Sequence, residues 1–180
     1  LFRSVQIKNP LKAYLTGKGD IFYTFDWIVL QDKTLREKLK TNFGDDFVES
    51  VYFLISAKSS RKEKYFSVRH WKYKKLLAFL ESSGAKFGLH ISHEGGINPE
   101  VIAKEVMRLP SCVDKVNLMS RNHYLRWQEP EAVEQMENAG IRHDFTLGYA
   151  DCAGFRVGTC RPYRFINPRT KKLTDVIIHP

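Results

Sequence analysis

The sequence predicts an α/β fold organised around a mainly parallel sheet. Strand-like runs rich in aromatic and β-branched residues alternate with helix-length segments along the chain, which is the pattern of βαβ units. Proline opens and glycine closes several of the helical segments, as capping chemistry favours. No short-period repeat, low-complexity tract or linker-like stretch breaks the alternation, so residues 1–180 read as one domain.

Each element has its own signal. Ile21 to Phe25 is aromatic and β-branched and reads as a strand. Thr34 to Asn42 reads as a helix, with Leu35 and Leu39 on one face. Val51 to Ile55 is a short apolar run suited to a strand buried on both faces. Trp71 to Ser83 is helical, with Trp71, Leu76, Leu77, Phe79 and Leu80 as its apolar side and Gly84 as its stop. Ala85 to Ile91 is a strand, Pro99 opens a helix containing Val101, Ile102 and Val106, and Val116 to Met119 is a further strand. Pro130 opens a helix that reaches Ala139 and stops at Gly140. Phe145 to Leu147, Phe155 to Val157 and Val176 to Ile178 complete the strand candidates. In such a fold function gathers at the C-terminal ends of the strands. That rule marks Asp26, His90 to His93, Arg121 to Tyr124 and His179. Asp20 is a weaker candidate, because six residues of extended chain would set it roughly 20 Å from Asp26.

Composition narrows the class. Hydrophobic residues are 43% and charged residues 27% of 180, ordinary for a soluble domain able to bury a core. No apolar run approaches the ~20 residues of a membrane span. The start, Leu1-Phe2-Arg3-Ser4, carries no initiator Met and no secretory signature, and the end, Ile177-Ile178-His179-Pro180, follows a strand-like run. A chain trimmed at both ends is expected. Cys112, Cys152 and Cys160 form no even framework, which points to a reduced, cytoplasmic setting. The net charge of +9 is concentrated between Lys58 and Lys75, where only Glu63 opposes eight cations. That run is either a solvated face or a patch for an anionic partner such as an acidic glycan or nucleic acid. With no nucleic-acid-binding motif beside it, nucleic acid is the less expected partner.

Four segments carry chemistry: Thr24-Phe25-Asp26, Gly88-Leu89-His90-Ile91-Ser92-His93, Ser120-Arg121-Asn122-His123-Tyr124-Leu125-Arg126, and Gly154-Phe155-Arg156-Val157-Gly158-Thr159-Cys160-Arg161-Pro162-Tyr163. Their order and spacing resemble the polysaccharide deacetylase (NodB-homology) family over about residues 20 to 180. They are most similar to a bacterial branch with S-R-x-H-[YF]-L and G-F-R-x-G-T-C motifs. The last two segments are long and specific, whereas the first two alone are weak signals. The resemblance implies a distorted (β/α) barrel of about seven strands, incomplete if the chain is trimmed. It also implies removal of N- or O-acetyl groups from a saccharide. A divalent metal such as zinc would polarise the acetyl carbonyl and acidify a bound water, a carboxylate would take a proton, and an imidazole would return one to the leaving group.

Carried over position by position, the resemblance implies Asp26 as general base, Arg121 as the residue orienting it, and His179 as general acid. His90 matches the first metal-binding histidine, and Trp27 stands where a metal-binding aspartate is expected. Glu94 stands where the second histidine belongs, and His93 lies one position early. His90, His93 and Glu94 are therefore the candidate metal ligands. Trp27, His123, Tyr124 and Arg156 are candidate saccharide-binding residues, with Trp27 a stacking platform. Other readings stay open beside these. Asp26 can be a helix cap or turn former, His90 a core histidine, and Arg121 and Arg156 structural arginines paired with Asp144 or Asp151. His70 and His143 read as surface or helix-edge residues, and Cys152 and Cys160 as packed thiols. The leading function is a metal-assisted hydrolase acting on an acetylated saccharide. The alternative, favoured by Trp27 and Glu94, is a lapsed enzyme that binds a glycan without cleaving it.

Overall fold

A computed structural model describes residues 23–44, 50–59, 65 and 67–180 of the chain. Asp20, the start of the first strand candidate, and Arg61, Lys62 and Lys64 of the basic run lie outside these residues. Two compact units divide the chain, Leu1–Ser50 and Val51–Pro180.

The described part of the first unit is helix α1 (Phe25–Phe43). The strand expected through Phe25 is therefore corrected: Phe25 opens the helix instead. Between Asp26 and Lys40 the chain is dense in Leu, Lys, Arg and Glu, and their summed helix propensity outweighs a short aromatic run. Asp26 sits in the first turn and Lys40 in the last, each complementing the helix dipole at its end. At φ 87°, Gly44 ends the helix, its N–H reaching the Lys40 carbonyl at 3.0 Å.

The second unit runs β1 (Val51–Leu54), α2 (Trp71–Ser82), β2 (Lys86–Ile91), α3 (Pro99–Arg108), β3 (Leu118–Asn122), a short 3-10 turn (His123–Leu125), α4 (Glu131–Asn138), β4 (Ile141–Asp144), β5 (Tyr163–Asn167) and β6 (Lys172–Ile178). His70 caps α2, accepting from the Lys72 N–H at 3.3 Å, and Asn98 caps α3, accepting from the Glu100 N–H at 3.0 Å. The strands form one six-stranded sheet in the order β1-β2-β3-β4-β6-β5. Every pairing is parallel except the β5–β6 hairpin. The fold is thus α/β with a mostly parallel sheet, as the alternation predicts, and the described strands number six where about seven were expected.

Three strand candidates differ from the expectation for a local reason, and β6 also begins at Lys172, four residues before the expected Val176. Val116 is 79% exposed, because the Asp114 carboxylate accepts from the N–H groups of Val116 and Asn117 at 2.8 and 3.2 Å and makes a turn there. β3 starts only at Leu118. Phe145 to Leu147 follows β4 rather than forming it, since Asp144 accepts from the Thr146 N–H at 2.9 Å and bends the chain out of the sheet. Phe155 to Val157 is a turn between Gly154 (φ 146°) and Gly158 (φ 73°). The hairpin strand β5 had no expectation behind it. Its turn is built by the Asn167 side chain, which accepts from the N–H groups of Arg169 and Thr170.

Side-chain alternation divides the sheet into two faces. Leu89, Ile91, Leu118, Val176 and Ile178 are fully buried on one face. α3 packs on this side, with Ile102 and Glu105 buried and Ile91 close to Gly95 and Glu105. Ala132, Val133 and Met136 are the buried residues of α4. Each such apolar side chain contributes roughly 1.5–3 kcal/mol. The opposite face carries Phe53, His90, Met119, Arg121, His143 and Ile177, all half-exposed. Strand pairing sets Phe53 against Gly88, His90 against Arg121, and Met119 and Ile177 on either side of His143.

Candidate functional site

His90 and Arg121 are register partners on β2 and β3, one residue short of each strand's end. Beyond β3 the chain turns at once, and this brings His123 back over β2. The result is a contact of 3.1 Å between His90 Nε2 and His123 Nδ1, with the rings 5.2 Å apart and nearly perpendicular. Burial, and then the charges of His123 and Arg121, pull the His90 pKa down to about 4. At neutral pH His90 is an uncharged imidazole with one N–H and one lone pair.

The turn that presents His123 is strained. Tyr124 and Leu125 both hold left-handed backbone, at φ 58° and 50°, a region that costs a non-glycine residue about 1–2 kcal/mol. Strain of this kind gathers at functional loops. Tyr124 is 76% exposed and leans on His123 at 4.2 Å and edge-on to His93 at 6.1 Å. Three bonds hold the turn in place. Asn122 Nδ2 donates to the Arg126 carbonyl at 2.8 Å, Arg156 Nη1 donates to the Leu125 carbonyl at 3.2 Å, and Arg126 Nη1 meets His93 Nε2 at 3.3 Å.

The loop after β2 is held from below. Glu105 on α3, fully buried, accepts from the N–H and hydroxyl of Ser92, and the same hydroxyl accepts from the Gly95 N–H at 3.0 Å. A Cβ on Gly95 would stand 2.9 Å from a Glu105 oxygen, so a side chain there would push the carboxylate off its Ser92 bonds. Burial raises the Glu105 pKa against the lowering effect of the Ser92 bonds. Beside this turn lies a cavity of about 150 Å³, lined by Lys58, Tyr65, Glu94, Lys104, Glu105 and Arg108 among others.

A second histidine pair stands further along the same face. His143 Nδ1 and His179 Nε2 are 2.9 Å apart, and the His179 ring stacks on Phe145 at 4.3 Å and 11°. Burial lowers both pKa values, and His143 adds to the lowering at His179. On the buried face, in register with Ser120 and Ile178, Asp144 is completely buried and accepts from Ser120 Oγ, Thr146 N and Thr146 Oγ1 at 2.8–2.9 Å. Burial pushes its pKa up to about 6.

The sequence-derived residues therefore fall into groups. His90, Arg121, His123 and Tyr124 come together at the ends of β2 and β3, with His93 and Arg156 at the rim of the same turn. His179 belongs to the second pair on that face. Asp26 and Trp27 lie in the other unit on α1. The strand-end position expected of Asp26 is corrected to the first helical turn, where the Tyr23 hydroxyl reaches it at 3.5 Å, and Trp27 is 63% exposed. The expected metal ligands do not converge. His90 faces His123, His93 faces Arg126, and Glu94 lines the cavity beside Lys104 and Arg108. Among the described residues no three His, Cys, Asp or Glu side chains share a metal-sized centre. Three further readings change. Arg156 bonds a carbonyl instead of a carboxylate, Asp144 is hydrogen-bonded by Ser120 and Thr146 while Arg121 acts on it through its charge alone, and Cys152 and Cys160 are exposed. His143, read as a surface residue, is the partner that sequence reasoning missed. The run Ile141-Arg142-His143-Asp144 directly after the Gly140 helix stop was its available signal.

No family model and no curated protein matches this sequence. Among solved structures it is similar to a candidate polysaccharide deacetylase involved in O-antigen biosynthesis from Bordetella bronchiseptica. The identity is 19% and the TM-score 0.43, over 86% of this chain and 53% of that one. This chain thus spans about half the length of that structure.

Proposed function

We propose that this chain is a polysaccharide deacetylase-like hydrolase that takes an acetylated saccharide on the half-exposed face of the sheet and attacks the acetyl carbonyl with water. One observation carries the reading. His90, Arg121 and His123 meet at the C-terminal ends of adjacent parallel strands, where such sheets gather function. Arg121 is permanently charged and suited to stabilise a developing oxyanion. The exposed Tyr124 ring and the Arg156 guanidinium, anchored to the same turn, suit stacking on and hydrogen bonding to a sugar. Asp26 as general base, Trp27 as sugar platform and His179 as general acid rest on the motif resemblance. A divalent metal such as zinc would supply carbonyl polarisation in a family-like site. The residues expected to hold it point to three different neighbours, so the roles above are assigned without it.

A second reading has its own support. A histidine with a pKa near 4 is a weak base at neutral pH, and Trp27 and Glu94 replace family ligands. Both fit a domain that binds the glycan without cleaving it. Acetate release from a panel of acetylated oligosaccharides, measured with calorimetric binding for wild type, His90→Ala and Arg121→Gln, separates the outcomes. Release lost in both variants supports the hydrolase. Binding without release from wild type supports the second reading, and neither binding nor release overturns both.

A further inference from the structure

We infer that His143 is a positioning residue for His179, fixing through its Nδ1 which nitrogen of the His179 ring is left to exchange a proton with bound substrate. The inference rests on the proposed role of His179 as general acid and adds a residue that this role did not include.

Geometry carries it. His143 pairs in register with Ile177 on β6, and His179 follows two residues later on the same face. The His179 N–H donates to the Asp144 carbonyl at 2.8 Å, which fixes the backbone. Phe145 lies flat on the imidazole at 4.3 Å and 11°, which fixes the ring plane. Rotation within that plane is then decided by the 2.9 Å contact between His143 Nδ1 and His179 Nε2. A neutral imidazole has one N–H and one lone pair. A single proton therefore lies between these nitrogens, and the arrangement that serves a general acid is the one in which His143 Nδ1–H donates to His179 Nε2, leaving the His179 proton on Nδ1. Nε2 of His179 is used up in the contact, so only Nδ1 remains for chemistry. When Nδ1–H protonates a leaving amine or alkoxide, the His143 Nδ1 proton passes to His179 Nε2. His143 regains a proton from solvent at its own Nε2, and both rings end neutral.

Other charged groups stand further off this axis. On β4, Arg142 approaches Asp175 at 4.0 Å, and on β5, Arg164 donates to Asp175 at 3.0 Å. Asp144 is directed to Ser120 and Thr146. Tyr163 pairs in register with Ile178, on the face opposite His179. The titration of His179 is accordingly coupled to His143 before any other group; burial is the larger cause of its lowered pKa, and His143 adds to it.

Ring-nitrogen NMR of histidine-labelled protein reads this directly. In wild type, His179 is expected in one tautomer, with a titration midpoint below that of a free histidine. His143→Phe keeps an aromatic ring and removes the nitrogen, so His179 should become a tautomer mixture with a raised midpoint. His143→Gln, whose amide can donate to Nε2, should restore the single tautomer. A tautomer mixture in wild type overturns the inference, as does an unchanged His179 spectrum in a folded His143→Phe protein. Acetate release as a function of pH is measured in parallel, and its profile should shift in the Phe variant and return in the Gln variant. If wild type releases no acetate, the hydrolase reading falls, while the NMR result still decides the role of His143.

Discussion

The imidazole of His90 and the guanidinium of Arg121 stand side by side as register partners on two parallel strands, so the charge of one acts on the protonation of the other. Burial is the larger cause of the low His90 pKa, followed by His123 and Arg121. Arg121→Gln should therefore raise the His90 midpoint from about 4 without returning it to the ordinary value. The linked stability has a fixed sign. A histidine whose folded pKa is depressed stabilises the fold fully above its unfolded pKa of ~6.5 and loses that contribution as pH falls towards the folded value. An NMR titration checks both, and a His90 midpoint unchanged by Arg121→Gln would show that this pairing has no electrostatic content.

Phe53 lies where a side chain on Gly88 would have to go. A Cβ at position 88 would meet the Met119 carbonyl at 2.7 Å and the Phe53 ring at 2.9 Å, and Phe53 in turn packs against Phe145 at 5.6 Å. Gly88→Ala forces that ring aside, and overpacking of this kind costs about 1–3 kcal/mol. Thermal melting should register a clear loss. The double variant Gly88→Ala, Phe53→Ala should lose somewhat less than the two single losses added together, because the ring's share of the clash goes while the contact with the Met119 carbonyl stays. Additive losses would place the strain elsewhere.

How much of this the sequence held can be seen element by element. Helices marked by proline or glycine were legible: Pro99 opens α3, and Gly140 follows α4. The apolar runs of β1 and β2 were legible too. The ends of β3 and β4 were not, because single aspartates, Asp114 and Asp144, bend the chain by side-chain bonds that periodicity does not register. α1 was misread at its start, where an aromatic run resembled a strand but the following helix formers decided the outcome. Within the candidate site, the motifs singled out His90, Arg121 and His123, which the fold brings together. His143 carries no motif, and its role depends on β4 lying beside β6, a neighbour relation that spacing along the chain does not encode.

Asp144 makes stability depend on pH in the opposite sense to His90. Its folded pKa is raised from 3.8 to about 6 by complete burial, so its ionisation is resisted by the fold. The native state is favoured while the carboxyl is protonated, and that advantage disappears as pH rises from about 4 to about 6. Asp144→Asn retains an acceptor for Thr146 and does not ionise. Between pH 4 and pH 7 wild type should therefore lose stability relative to the variant, by on the order of 2–3 kcal/mol at 1.36 kcal/mol per pKa shift of one. Urea denaturation of both proteins at the two pH values measures the gap. A gap that does not change with pH would mean that Asp144 ionises as freely as it does in the unfolded chain.

Zinc titration separates the motif-derived ligand set from the geometry. The motif assigns His90 with His93 or Glu94, yet these three side chains face His123, Arg126 and the cavity beside Lys104. A zinc ion bound by two imidazoles holds their nitrogens roughly 3.3 Å apart, given bonds of about 2.0–2.1 Å in a tetrahedron. His90 Nε2 and His123 Nδ1 already lie 3.1 Å apart. Two imidazoles without a converging third protein ligand make a weak site, because catalytic zinc generally takes three. Calorimetry should accordingly find zinc binding that chelators remove readily, abolished by His90→Ala and by His123→Ala and unchanged by His93→Ala or Glu94→Ala. A tenfold loss of affinity in the Glu94 or His93 variant would restore the motif-derived set and require the loop after β2 to rearrange around the metal.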